Sequence, residues 1–248
     1  MFIDIHCHIE VYGDKINEVV ERAKKAGVGI MINSGTDAKT NREALRFARK
    51  FDEVKCSLGI YPIHALAMTD KQVNDEIEFI KENQNEIVAI GEVGIDLKES
   101  EEYEKQSKNF KKFIELAIKL DKPIIVHSRK AEEECVDILE QFNIKKIIMH
   151  CFSGNFKLVK KIIEKGWTMS IPTSIKHTEY FQKIAEMAPL TQLLCETDSP
   201  FLHPDKLRNN EPAFVVESYK KIAEIKKMKI EDVERQIEKN YRKLFETL

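Results

Sequence analysis

The chain has 248 residues, 40 Lys and Arg against 42 Asp and Glu, and seven histidines. An apolar fraction of 42% supports a sizeable core and excludes a disordered chain, which could not bury enough surface to offset its entropy. A net charge of −2 excludes a polycation coated for nucleic acid, so any such contact must be local. No apolar run approaches the ~20 residues that span a bilayer, and MFIDIHCHIE lacks the order of a signal peptide. The five cysteines (Cys7, Cys56, Cys135, Cys151, Cys195) are odd in number and never spaced CxxC. They predict reduced, mostly buried thiols in a cytoplasmic protein, not a disulfide framework or a zinc knuckle. With 9 Gly and 7 Pro there is no room for a long linker, so one domain over 1–248 is expected.

β-branched runs alternate with amphipathic stretches along the whole chain. A strand over Phe2–Ile5 precedes a helix over Asp14–Lys25, and Val28–Asn33 precedes Ala38–Lys50. Val54–Ile60 precedes a helix over Asp70–Glu82, with Thr69 or Asp70 as its N-cap. Ile87–Ile90 precedes Glu101–Leu120, Pro123–Val126 precedes Ala131–Phe142, and Lys146–Met149 precedes Phe156–Lys165. Trp167–Ile171 precedes Glu179–Met187, and Leu193–Cys195 precedes Ala213–Lys227 and Glu231–Glu246. The strands VGIMI, IVAI, PIIV and KIIM are almost wholly apolar, as strands covered on both faces must be. Strict alternation of eight strands with helices predicts a parallel α/β fold, a (β/α)8 barrel with extra C-terminal helices. An open doubly wound sheet is disfavoured: His6, Cys7 and His8 stand where a Gly-rich phosphate loop would follow the first strand. The turn Ser34–Thr36 is too small to replace such a loop.

Polar residues gather where strands end. The first strand runs into Asp4, His6 and His8, the fourth into Glu92, the fifth into His127, the sixth into His150, and the eighth into Glu196 and Asp198. The i, i+2 spacing puts both imidazoles of His6 and His8 on one face. In a barrel all these ends meet at the C-terminal mouth. One histidine at a strand end is more often a hydrogen-bonded structural residue. Four of them, with carboxylates, from five strands are costly to bury without a cation. Mixed N/O donors suit Zn, Mn, Fe or Mg, and six candidate ligands fit two ions bridged by a carboxylate. Cys7 and Cys151 sit beside histidines, but strand alternation is expected to turn them away.

The motifs DIHCH (Asp4–His8), GEVGID (Gly91–Asp96), VHSR (Val126–Arg129), HCFSG (His150–Gly154), ETDSP (Glu196–Pro200), NEP (Asn210–Pro212) and NYRKLF (Asn240–Phe245) are collinear over nearly the whole chain. In these the chain resembles the TatD-type metal-dependent deoxyribonucleases, a branch of the amidohydrolase-like barrels. The resemblance implies that His6, His8, Glu92 and Asp198 hold one divalent ion and Glu92, His127 and His150 a second, with Glu92 bridging. The fourth strand offers no lysine for the carboxylated-lysine bridge of phosphotriesterase-like and urease-like relatives. The resemblance further implies phosphodiester hydrolysis of DNA with two Zn, Mg or Mn ions, and Asp198 as general base beside the catalytic Glu92.

Two positions depart from the family pattern. Tyr61 replaces the histidine of G-[IV]-H-P, with His64 three residues on, and Arg208 lies one residue earlier than the arginine before NEP. Tyr61, His64, Arg129 and Arg208 are candidate substrate contacts; Arg129, fixed just after a ligand strand, leads them. His177 and His203 are further candidates at the mouth, with Lys98, Lys130, Lys157, Lys176 and Lys206. Trp167, at the opposite end, is expected in the core, and Phe152 either lines the pocket or packs beneath it. Hydrolysis of a small phosphoester, amide or lactone is the alternative function, and a non-catalytic metal-bound module the third. Neither a membrane nor an obligate protein partner is implied.

Overall fold

The computed structural model describes residues 1–246. Eight strands follow one another around a parallel sheet: β1 (Phe2–Cys7), β2 (Val28–Ser34), β3 (Val54–Leu58), β4 (Ala89–Gly94), β5 (Ile124–His127), β6 (Ile147–Met149), β7 (Thr168–Pro172) and β8 (Leu193–Glu196). The sheet is nearly closed into a TIM barrel. Closure comes at the C-terminal ends, where Cys7 bridges Ser199, the Asp198 amide donates to the His6 carbonyl (2.9 Å) and the His8 amide to the Ser199 carbonyl (2.9 Å).

The helices surround the barrel: α1 (Ile16–Lys25), α2 (Ala38–Lys50), α3 (Pro62–Leu66), α4 (Asp70–Glu82), α5 (Tyr103–Leu120), α6 (Glu132–Glu140), α7 (Phe156–Glu164), α8 (Glu179–Met187), α9 (Val215–Lys226) and α10 (Ile230–Phe245). Apolar spacing aims them. In α1 the buried residues are Ile16, Val19, Val20 and Ala23, one stripe at the helical period. Capping boxes start α2 (Asp37 with Thr40) and α4 (Thr69 with Gln72), so Thr69 is the cap of the expected pair. The last two helices complete the wall: the Tyr219 hydroxyl of α9 bonds both the amide and the carbonyl of Ile3, and Asn240 of α10 donates to the Leu193 carbonyl. Trp167 is buried, as expected. Phe152 is buried too and packs beneath the mouth.

Expected and observed ends differ mainly where polar residues finish a strand. β1 continues past Ile5 to Cys7 and β4 continues to Gly94, because the ladder follows backbone pairing and not side-chain polarity. The short helix α3 and a 3-10 segment over Ile9–Lys15 were not expected. Both are too short for the helical period to register.

Gly94 shows why GEVGID carries two glycines. Its φ is +147°, and a Cβ there would lie 1.9 Å from the His127 carbonyl oxygen of the neighbouring strand. Gly94→Ala therefore has to push β4 off β5. Gly166, with φ of +72° and nothing within 4 Å, would meet only the backbone strain. Gly94→Ala is expected to lower the Tm by about 10 °C or more, and Gly166→Ala by no more than about 5 °C. Thermal unfolding of the two variants checks this, and equal shifts would refute the steric argument.

Candidate metal centre

The ends of β1, β4, β5, β6 and β8 bring His6, His8, Glu92, His127, His150 and Asp198 together at one mouth. Two donor clusters emerge: His6, His8 and Asp198, and His6, Glu92 and His150. Around the first, His6 Nε2 lies 3.2 Å from His8 Nε2, 3.5 Å from Glu92 Oε2 and 3.7 Å from Asp198 Oδ1. His8 Nε2 lies 3.6 Å from Glu92 Oε2 and 3.7 Å from Asp198 Oδ1. Donors about 2.1 Å from a tetrahedral ion stand about 3.4 Å apart. These four atoms therefore fit the edges of a coordination sphere and are too far apart for most to bond one another.

Glu92 divides its carboxylate. Oε2 faces His6 and His8, while Oε1 lies 2.7 Å from His127 Nδ1 and 4.0 Å from His150 Nε2. The first oxygen keeps the spacing of coordinated donors, while the second is at hydrogen-bond distance from His127. His127 belongs to neither cluster; its Nδ1 is directed at Glu92 Oε1.

The other nitrogen of each imidazole is held from behind. Ser34 serves two: its Oγ meets His6 Nδ1 (3.0 Å) and its carbonyl meets His8 Nδ1 (2.9 Å). Asp96 Oδ2 lies 2.8 Å from His127 Nε2 and accepts from the Tyr61 hydroxyl at 2.7 Å. Glu196 lies 2.7 Å from His150 Nδ1 and also accepts from Ser170 Oγ and the Cys151 amide. Such partners fix ring orientation: His6, His8 and His150 keep one nitrogen toward the donor clusters, whereas both nitrogens of His127 are engaged, by Asp96 and Glu92. Glu196, a possible ligand by sequence, thus aims His150 instead, and Asp4 is spent on the amide and hydroxyl of Thr197. Neither Ser34 nor Asp96 has an evident role from sequence alone. Their shared signal is position, since both stand at or just beyond a strand end, level with the histidines.

Asp198 lies beyond β8 with a left-handed φ of +51°. That turn swings its carboxylate into the mouth, while Glu196, two residues earlier, stays beneath. Burial raises the Asp198 carboxyl to about 6. Burial lowers His6 to about 4. It opposes charge on His150 as well, but the Glu196 carboxylate outweighs it and raises His150 to about 10. Burial likewise opposes charge on Glu92 and His127. His127 and His6 nonetheless hold Glu92 well below its ordinary value, while Asp96 and Glu92 raise His127.

A cation taken by His150 Nε2 must displace that proton. Metal affinity is therefore expected to rise with pH below 10, with proton release on binding. Calorimetric titration in two buffers of different ionisation enthalpy measures the release, and a value near zero would refute it.

The clusters sit in a cavity of about 640 Å³ lined by His8, Glu92, His127, His150 and Asp198, with Tyr61, Glu99, Arg129, Phe201 and others around them. Arg129 lines it, 3.4 Å from Glu99. Tyr61 lines it too, its hydroxyl committed to Asp96. His64 is exposed and outside the lining, bonded to the Thr36 carbonyl (3.0 Å). Arg208 is exposed and also outside the lining. His177 and His203 fasten their own loops, to the Pro204 carbonyl and the Asp205 amide, and Lys176 is paired with Asp205 and Glu217. Cys7 turns away, its thiol toward the Ile32 carbonyl. Cys151 does not: it lines the cavity. It follows β6 with φ of +41°, where strand alternation no longer applies. Among the described residues no helix is long and apolar enough to cross a membrane.

Comparisons with known proteins bear on the chain as a whole. The TatD-related DNase family matches residues 3–246. The chain is 40% identical over 246 residues to an uncharacterized metal-dependent hydrolase of Methanocaldococcus jannaschii, covering 98% of this chain and 96% of that one. It is 30% identical over 260 residues to the human deoxyribonuclease TATDN3, covering 99% and 95%. In fold it is similar to the crystal structure of YJJV, a TatD homologue of Escherichia coli, with a TM-score of 0.93 at 23% identity, covering 100% and 98%. A barrel with this mouth and these matches belongs to the TatD-related DNase family of metal-dependent hydrolases.

Proposed function

We propose that the protein hydrolyses phosphodiesters, with DNA as the substrate, at a centre of two divalent cations. The divided Glu92 carboxylate carries the reading. His6, His8, Glu92 and Asp198 would hold one ion, and Glu92, His127 and His150 the other. When bound, such a pair makes water acidic and draws charge from the phosphoryl group. Asp198 takes the proton of the attacking water as general base. Asp96, Glu196 and Ser34 keep the imidazoles aimed. Arg129 faces the phosphate, and Glu99 holds its guanidinium at the rim. The human relative's name, deoxyribonuclease, supports the choice of substrate.

The test is turnover of single-stranded oligonucleotides by protein loaded with Mg, Mn or Zn. Cleavage abolished by EDTA and restored by metal is expected. No cleavage with any of the three would overturn the DNA reading. One observation favours a second substrate class. Arg129 is the only Lys or Arg among the described residues lining the cavity, which suits one phosphate better than a long backbone. A small phosphodiester with a higher kcat/KM than DNA would establish that reading.

A further inference from the structure

The cavity has an apolar side that the metal chemistry does not use. Phe201 and Val11 line it and remain 61% and 54% exposed. Leu202 lies beside them. A phenyl ring left largely in water forgoes much of the stabilisation that burial gives. Elsewhere at the mouth the aromatic rings are occupied: Tyr61 packs edge-on against His127, and Phe152 is buried.

The backbone under Phe201 is fixed although its ring is free. The Phe201 amide donates to the Asp198 carbonyl (2.9 Å), Thr173 Oγ1 to the Leu202 carbonyl (2.7 Å) and the Asn210 amide to the Pro200 carbonyl (3.0 Å). Phe201 is thus one turn from Asp198 and keeps a set place relative to the donor clusters. Val11 follows β1 and Phe201 follows β8, whereas Arg129 follows β5. In a ring of eight strands β1 and β5 are opposite. The mouth has an apolar wall, the metal donors between, and a lone guanidinium across from it. A phosphodiester at the donors would extend one substituent toward each side.

We propose that Phe201, flanked by Val11 and Leu202, is a stacking shelf for the nucleobase on one side of the scissile phosphate. The proposal rests on the phosphodiesterase reading and deepens it. A ring stacked on a base contacts only its π-face, so the shelf discriminates base from no base, not one base from another.

The experiment compares wild type, Phe201→Ala and Phe201→Trp on single-stranded oligonucleotides whose terminal nucleotide is either natural or abasic. On natural ends Phe201→Ala is expected to raise KM about tenfold with kcat within twofold, and Phe201→Trp to restore KM. On abasic ends the two variants should match wild type. In parallel, an oligonucleotide ending in 2-aminopurine is bound to each protein carrying Asp198→Asn to block turnover. Its fluorescence should be quenched, and Phe201→Ala should remove the quenching. Cleavage that ignores Phe201, or an equal loss on natural and abasic ends, overturns the shelf and leaves the phosphodiesterase reading standing. Phe201-dependent quenching without any cleavage keeps the shelf and overturns the nuclease. Neither cleavage nor quenching overturns both.

Discussion

Asp198→Asn is expected to lower kcat by about 10²–10⁴ while the bound metal is kept. Asparagine has the same shape, and its Oδ1 still offers a lone pair toward His6 and His8. It also tolerates the left-handed φ of +51° that this position requires. What the substitution removes is the proton acceptor. Metal analysis beside kcat separates a lost base from a lost ion. A kcat within threefold of wild type would end the assignment of Asp198 as base. Asp198→Ala is the harsher variant, because it removes a donor as well and should lose metal together with activity.

Glu92→Gln is expected to be more severe, with activity falling more than about 10³-fold and metal content dropping. Its two oxygens face both donor sets, so neutralising it weakens both together. The metal-free protein gives an independent readout. There the Glu92 carboxylate is buried against His127, so neutralising it is expected to lower stability. The pH window follows from the two shifts. Glu92 is depressed from 4.5, so its contribution is present above pH 4.5 and is lost as pH falls through the folded value. His127 is raised from 6.5, so its contribution is present below pH 6.5 and is lost as pH rises through the folded value. In EDTA the gap in Tm between wild type and Glu92→Gln should be widest between pH 4.5 and 6.5 and narrow on either side. A gap independent of pH would refute the pairing.

The rear partners of the histidines should give smaller effects than their ligands. Glu196 and Asp96 each hold one imidazole, and such partners typically change metal affinity by 10–100-fold. Tyr61 belongs to this group in the structure. The family pattern puts a histidine there, and Tyr61 seemed by sequence to face substrate. Its hydroxyl bonds Asp96, so it steadies His127 at one remove, while Tyr61 also lines the cavity.

The barrel was legible in the chain because its signal is local and repeated. VGIMI, IVAI and PIIV are apolar on both faces, and each is followed by an amphipathic run long enough to show its period. The six donors at the mouth were legible for the same reason, since a parallel barrel sends every strand's C-terminal end to one mouth. The segment Pro62–Leu66 escaped because five residues do not complete two helical turns.

Sequence by itself thus determined the fold class, the family and which six donors reach one mouth. Tertiary structure decided what each does there. Glu196 and Asp198 look alike in ETDSP, yet one lies beneath His150 and the other enters the mouth, because the chain turns left-handed between strand and loop. Ser34 looked like part of a small turn and holds two histidines. Cys151 was expected to face away and lines the cavity, whereas Arg208 and His64 lie outside its lining. Spacing along a strand fixes the face of a side chain only while the ladder lasts. Past its end, loop hydrogen bonds between residues far apart in sequence set the direction, and those exist only once the barrel has closed.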